Sequence, residues 1–451
     1  MKTFKKKNNS KLPWFTEELR RLIEQKNSIL QLWYLYRKNE DRNIYRKLKN
    51  QVNHLKKKLK SEHYSTQIEE LQKKPRLLWN LYKEITGNTK LKECIEPDFM
   101  DKAKANQFNH FFATVGTNIQ EKLNIQTQQP HLPRDGFEFK HEIEDTVRKL
   151  ISRIRSDVAT GNDNVNAKLL KDAIDTIIPS ITQLVNLSYE TRTFPDTMKE
   201  AIVRPIFKKE DKEKPEYYRP VSILPVISKV FERSATDQLI TYLEHNLLAT
   251  TQHAYRRLHS TVTCLADLVD EIRRRRDRNE TVGVIGMDLS KAFDSINHNI
   301  LQQKLIEIGI GPNVIKWMKS YLSNRHVKFK NIESDKEMVT SGVPQGSILG
   351  PVLLIIFTNN LTEYLHNYQI SSYADDTQIL ISASSPKEMK QKIEEVMNIA
   401  QKWYTKHSLL NNLSKTEIMI VTSKKNQKKY KGIKYSILEN GETNCIKGTE
   451  K

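Results

Sequence analysis

Asp375 and Asp376 are adjacent carboxylates inside the run QISSYADDTQILISA (369–383). The flanks alternate or run apolar as strands do, so Tyr373-Ala374-Asp375-Asp376 is expected at a β-hairpin tip. Hard carboxylate oxygens side by side on a tip can share divalent cations. Taken alone, such a pair is more simply a solvated turn, and only a further carboxylate on a neighbouring strand with phosphate-handling surroundings decides otherwise. TVGVIGMDL (281–289) offers that carboxylate: it reads as a β-branched strand buried in a sheet, and Asp288 closes it before SKAFDSINHNILQQKL continues as turn and helix. A charge at the end of an apolar strand calls for a partner or a function. On adjacent strands the three aspartates could clamp two divalent metals about 3.5–4 Å apart, one activating an attacking hydroxyl and the other the leaving pyrophosphate, as in-line phosphoryl transfer requires. Asp294, six residues after Asp288, reads as a structural hydrogen-bond partner rather than a ligand.

Groups that could handle a polyphosphate lie upstream. AIVRPIFKK (201–209) and RPVSILPVI (219–227) read as a hairpin across the charged turn EDKEKPEYY, with Lys208, Lys209 and Arg219 near its tip. Arginine forks onto phosphate oxygens and lysine acts as a point charge; lysines beside a turn also serve solubility alone, so Arg219 is the stronger candidate. SGVPQGSILGPVLLIIFTNNL (341–361) supplies a loop whose Gly342, Gly346 and Gly350 allow close backbone approach, with Gln345 between Pro344 and Gly346 and Pro351 suited to the first turn of an apolar helix. Such a loop can lie flat against a base pair, although a generic loop before a buried helix shares most of its features.

The remaining elements must carry these groups to one place. Residues 13–71 show apolar positions at three- and four-residue steps (Leu19, Leu22, Ile23, Ile29, Leu30, Trp33, then Ile44, Leu48, Val52, Leu55, Leu59), predicting two long basic helices separated at NEDRN. They read either as a solvated coiled arm or as an RNA-binding arm. Phe108, Phe111, Phe112 and Val115 share one helical face and read as core, while residues 124–137 have a linker's polar, proline-containing composition. SKVFERSATDQLITYL and TVTCLADLVDEIRRRRDRN read as helices; the arginines ending the second, Arg273 to Arg276, are explained by the helix dipole before any nucleic-acid contact need be invoked.

The 451 residues carry a formal net charge of +20, of which residues 1–90 contribute +14. That balance points to a polyanionic partner, and interleaved aromatic and amide side chains favour nucleic acid. Cys94, Cys264 and Cys445 are widely spaced without a CxxC pattern, so neither a zinc site nor a disulfide framework is indicated, and a reducing, intracellular compartment fits. The longest wholly apolar run, Val352 to Phe357, is too short to span a bilayer.

Three motifs in fixed order, GMDLSKAFDSINH, SGVPQGSILGP and YADD, resemble the palm motifs of reverse transcriptases. The flanking KEAIVRPIFKKEDKEKPEYYRPVSILPVISKVFER is similar to the fingers segment of non-LTR (LINE-type) retrotransposon polymerases of the jockey and CR1 kind. KLPWFTEEL, ANQFNHFFATVG and TGNDNVNAKLLK resemble that group's region between endonuclease and polymerase. The resemblance implies an α+β right-hand polymerase: fingers and a palm whose antiparallel sheet is packed with helices, preceded by a basic helical extension. The implied domains are 1–120 (basic helical extension), 121–187 (linker and start of fingers) and 188–451 (fingers and palm), with endonuclease and thumb expected outside this chain.

Carried over position by position, the resemblance implies that Asp288, Asp375 and Asp376 are the catalytic carboxylates holding two Mg²⁺, with Mn²⁺ as a possible substitute. It places Arg219 and Lys208 on the triphosphate, Phe293 against the incoming sugar where it excludes a 2′-hydroxyl, Gln345 and Gly346 at the templating pair, and Lys415 near the pyrophosphate. WYTKHSLLNNLSKTEIMIV departs from the family at Asn411 and Leu413, and QHAYRRLHS has Ala254-Tyr255-Arg256 where Gly-Phe-Arg is usual. The implied activity is RNA-directed DNA polymerisation, with an RNA template, a DNA primer or target and deoxynucleotides as partners, no membrane, and a nuclear site of action. The rival is a truncated or domesticated element product that binds RNA without catalysis; an RNA-templated RNA polymerase is disfavoured by Phe293. Oligomeric state leaves no mark in the sequence.

Overall fold

A computed structural model of the chain describes residues 13–71, 77–79, 81–82, 101–123, 130–208, 210–245, 247–329, 334–439 and 442–447. Lys209 and residues 124–129 of the expected linker lie outside the described residues. The chain divides into two compact units, Met1–Glu93 and Cys94–Lys451.

The first unit contains α1 (Glu17–Tyr36) and α2 (Asn39–Leu71). Thr16 caps α1 by accepting from the Leu19 amide (3.3 Å), and Glu17 and Glu18 face the positive end of the helix dipole. The apolar stripes close on each other through Trp14, Leu19 and Val52, with Leu22, Ile23, Leu55 and Leu59 around them. NEDRN does not separate the helices as expected. It forms the first turn of α2, where Glu40 and Asp41 meet that helix's positive end, and the chain reverses at Arg37-Lys38 with Arg37 at φ +53°.

The second unit is mixed helix and sheet, with antiparallel pairing predominant. Its helices include α3 (Lys102–Leu123), α4 (Glu144–Arg153), α5 (Ile174–Glu190), α6 (Ser228–Leu243), α7 (Thr261–Asp277), α8 (His298–Glu307), α9 (Pro312–Leu322), α10 (Gly350–Thr358) and α11 (Pro386–Lys406). Its strands are β1 (Glu200–Phe207), β2 (Tyr218–Ile223), β3 (Thr281–Met287), β4 (Leu289–Ser290), β5 (Arg325–Lys328), β6 (Glu337–Val339), β7 (Gln369–Tyr373), β8 (Asp376–Ala383), β9 (Leu410–Asn411), β10 (Glu417–Val421), β11 (Lys434–Glu439) and β12 (Glu442–Lys447).

Two four-stranded sheets matter for the site. One has the order β2-β1-β5-β6, antiparallel except for β1 beside β5; the other has the order β10-β3-β8-β7 and is antiparallel throughout. The period of two in β3 explains how the second sheet is buried on both faces. Val282 and Val284 pack with Leu268 and Ile272 of α7, whereas Ile285 and Met287 enter the main core with Met389, Ile393 and Met397 of α11. The phenylalanine stripe of α3 is core, as expected: Phe108 and Phe112 pack on the first sheet against Val203, Tyr218 and Phe329.

The described end of the expected linker is docked rather than free. Phe137 exchanges backbone hydrogen bonds with Gly309 and Gly311 (both 2.8 Å) and stacks on Tyr242 (centroids 4.6 Å). Among the described residues, no helix is long and apolar enough to cross a membrane.

Candidate active site

The β-branched run 281–287 forms β3, and Asp288 leaves the ladder one residue later, before β4 begins. Met287 pairs with Thr377 at the end of the β3–β8 ladder, and β7 and β8 close with Tyr373 opposite Asp376. Ala374 and Asp375 are thus the two residues of the hairpin turn, and Asp288 emerges beside Asp376 on the neighbouring strand. Ala374 takes a left-handed φ of +58°, a conformation that costs a non-glycine residue about 1 kcal/mol.

The electrostatics report the crowding. Burial pushes the Asp375 carboxyl above its ordinary range, and the charges of Asp376 and Asp288 push it further; burial and Asp288 do the same to Asp376. Lys415 opposes both shifts. Its ammonium donates to Asp288 Oδ2 at 2.5 Å, where Asn412 Nδ2 also donates at 3.3 Å, and the Asn412 amide donates to the Asp288 carbonyl at 2.8 Å. Among the described residues, no group of three or more His, Cys, Asp or Glu side chains is drawn together closely enough to hold a metal ion. The donor chemistry nevertheless fits hard divalent cations: three carboxylates at one sheet end repel one another, and a single ammonium on Asp288 balances part of their charge.

A cationic wall stands nearby. Arg219 is exposed at the start of β2 opposite Ile206, and the Lys208 amide donates to the Tyr217 carbonyl (2.8 Å) across the hairpin mouth. Partial desolvation and the charges of Lys291, Arg219 and Lys415 push the Lys208 ammonium down to about 8. Lys291 belongs to this wall and escaped the sequence reading, although it stands three residues after Asp288. Its Nζ is buried without a hydrogen-bond partner, 5.3 Å from the Phe111 ring centroid, and burial lowers its proton affinity. Asp294 lies among these cations, its carboxyl raised to about 6 by desolvation. The structural role expected of it is carried by its backbone carbonyl, which accepts from Ser341 Oγ (3.2 Å).

Backbone bonds anchor the loop that carries Gln345 and Gly346 to the turn that carries Phe293 and to β2. The Val343 amide donates to the Phe293 carbonyl (2.8 Å), Gly342 donates to Ile296 (2.8 Å), and the Ser222 amide of β2 donates to the Gln345 carbonyl (2.7 Å). Gly346, at φ +125°, passes so close to β2 that a Cβ there would stand 2.5 Å from the Ser222 carbonyl oxygen. This glycine is therefore required by packing within the chain. The loop thus ties the turn after Asp288 to the β1–β2 hairpin.

Two of the departures from the expected motif, Ala254 and Asn411, are accommodated. Ala254, in the usual glycine position, has no positive φ and is fully buried, while Asn411 pairs with Leu289 and accepts from Thr416 Oγ1 (3.4 Å).

Residues 207–435, about half of the chain, match the reverse transcriptase (RNA-dependent DNA polymerase) family, and the chain belongs to that family. All nine site residues named from the resemblance fall within the match. Among curated proteins, the chain is 29% identical over 323 residues to a probable RNA-directed DNA polymerase from transposon BS of Drosophila melanogaster, covering 69% of this chain and 35% of that protein. It is 29% identical over 314 residues to the corresponding X-element protein of the same fly, covering 68% and 34%. It is also 26% identical over 319 residues to the RNA-directed DNA polymerase from mobile element jockey of Drosophila funebris, covering 67% and 34%. The resemblance drawn from the three motifs is borne out, and the chain spans about a third of the length of these relatives.

Proposed function

We propose that the chain is an RNA-directed DNA polymerase of a jockey-like non-LTR retrotransposon, extending a primer 3′-end with deoxynucleotides on an RNA template. One observation carries the reading: in a chain of this family, the β3–β8 register brings Asp288 beside the Asp375-Asp376 hairpin. The sheet β10-β3-β8-β7 acts as the palm and the sheet β2-β1-β5-β6 as the fingers of a right-hand polymerase, with α1 and α2 as a basic extension. Since the primer is target DNA, the reading places the protein in the nucleus.

Asp288, Asp375 and Asp376 would hold two Mg²⁺, which when bound supply Lewis-acid activation of the primer hydroxyl and charge neutralisation at the leaving pyrophosphate. Lys208, Arg219 and Lys291 bind the triphosphate, with Arg219 forking onto its oxygens. Lys415, which balances Asp288 in the structure, would contribute its positive charge near the leaving pyrophosphate. Phe293 packs under the incoming sugar and leaves no room for a 2′-hydroxyl, while Gln345-Gly346 lies along the templating pair.

The test is nucleotide choice. With an RNA template and a DNA primer, the purified chain is expected to add deoxynucleotides and reject ribonucleotides, and Phe293→Ala is expected to narrow that discrimination at least about tenfold. Equal use of ribonucleotides by the unmodified chain would overturn the reading in favour of an RNA polymerase.

A further inference from the structure

The turn that carries Asp375 is held by a side chain from a distant part of the chain. Residues 251–253 run beside β7: the Ser372 amide donates to the Thr251 carbonyl (2.8 Å), the His253 amide donates to the Ser372 carbonyl (2.9 Å), and Gln252 bridges Ser372 in parallel fashion. This strap delivers the Gln252 side chain, only 6% exposed, to the hairpin tip. Its Oε1 accepts from the amides of Ala374 (3.0 Å) and Ala254 (2.9 Å), and its Nε2 donates to the Ala374 carbonyl (3.3 Å). Two amides need an acceptor and one carbonyl needs a donor, so only this orientation of the carboxamide satisfies all three.

Both backbone groups of Ala374 are therefore taken by one side chain, at a residue whose φ of +58° would favour glycine or asparagine in a two-residue hairpin turn. The dihedrals of Ala374 set where the next two residues point. Those residues are Asp375 and Asp376. We propose that Gln252 is a positioning residue of the polymerase: it clamps Ala374 in its left-handed conformation and thereby aims the paired carboxylates at the site they share with Asp288. The proposal rests on the polymerase reading above.

The test uses the full chain, Gln252→Leu, Ala374→Gly and the double variant. Two readouts are taken: backbone amide exchange across 369–379, which requires no activity, and single-nucleotide incorporation. In Gln252→Leu, exchange at Ala374 is expected to quicken at least about tenfold while the centre of β8 is unchanged. Its kcat is expected to fall about 10- to 100-fold, with affinity for template–primer held within about threefold. Glycine reaches the turn conformation unaided, so the loss caused by Gln252→Leu is expected to be several-fold smaller in the Ala374→Gly background.

Unchanged exchange at Ala374, or an equal loss of kcat in both backgrounds, would overturn the clamp. Protection that depends on Gln252 in an unmodified chain incapable of polymerisation would instead overturn the polymerase reading and leave the clamp standing. If Gln252→Leu does not fold, Gln252→Glu is measured in the same two backgrounds. It keeps the two accepted bonds and loses the donated one, so a smaller loss, again relieved by Ala374→Gly, is expected; a loss that glycine does not relieve contradicts the clamp.

Discussion

At the scale of single residues, the site sets stability against function at its cations. Lys291 keeps an ammonium buried without a hydrogen-bond partner, and a buried unpaired polar group costs folding free energy of about 1–3 kcal/mol. Lys291→Met is therefore expected to raise stability by about 1 kcal/mol in denaturant unfolding. The same change should raise KM for deoxynucleotides, because one phosphate-binding charge is gone; a variant that gains stability with KM unchanged would remove Lys291 from the triphosphate site. Lys208 gives a pH signature. Its proton affinity is pushed down to about 8, first by desolvation and then by neighbouring cations, and only the protonated form attracts phosphate. Hence kcat/KM for deoxynucleotides should fall as pH rises through about 8, with Lys208→Arg abolishing that limb because arginine stays charged. Asp288, Asp375 and Asp376 were legible in the sequence because their carboxylates interrupt apolar strands. Gln252 was not: its partner Ala374 is 122 residues away, and nothing local distinguishes it from any other polar residue in a loop.

At the scale of elements, β3, the β7–β8 hairpin and the β1–β2 hairpin were readable from strand periodicity and turn composition, to within a few residues at their ends. Helix α5 was harder, because Pro179 sits in its second turn, where it removes the amide that would bond the Asp175 carbonyl and makes the sequence pattern look broken. The sheet partner of α3 could not be read at all, since β5 and β6 lie some two hundred residues downstream and their pairing is a tertiary fact. The glycine loop was recognised, but part of its purpose was hidden: Gly346 is needed because β2 passes within reach of any Cβ placed there. Gly346→Ala should accordingly destabilise the fold by about 2 kcal/mol, through both the positive φ and the approach to Ser222. Thermal unfolding checks this, and a melting temperature equal to that of the unmodified chain would show that the loop is free to move away from β2.

At the scale of the whole molecule, charge was the property most easily read and the least informative about fold, since it says what the protein attracts and not how it is built. Between Asp41 and Glu62, α2 carries Arg42, Arg46, Lys47, Lys49, Lys56, Lys57, Lys58 and Lys60 with no acidic residue. If RNA lies along this helix, replacing Lys56, Lys57 and Lys58 by alanine should reduce the slope of log affinity against log salt by about 2, and Asp288→Ala should leave that affinity nearly intact. An unchanged slope would exclude those lysines from the interface. Under the proposed function, three aspartates at one end of the β10-β3-β8-β7 sheet perform nucleotidyl transfer. The most direct measurement is primer extension on an RNA template with deoxynucleotides and Mg²⁺, comparing the unmodified chain with the Asp375→Ala, Asp376→Ala double variant at matched template–primer occupancy. Metal-dependent extension by the unmodified chain and none by the variant is the predicted result. Extension by the variant at the unmodified rate would contradict the account, and RNA binding without extension by either would make this chain a binding protein instead.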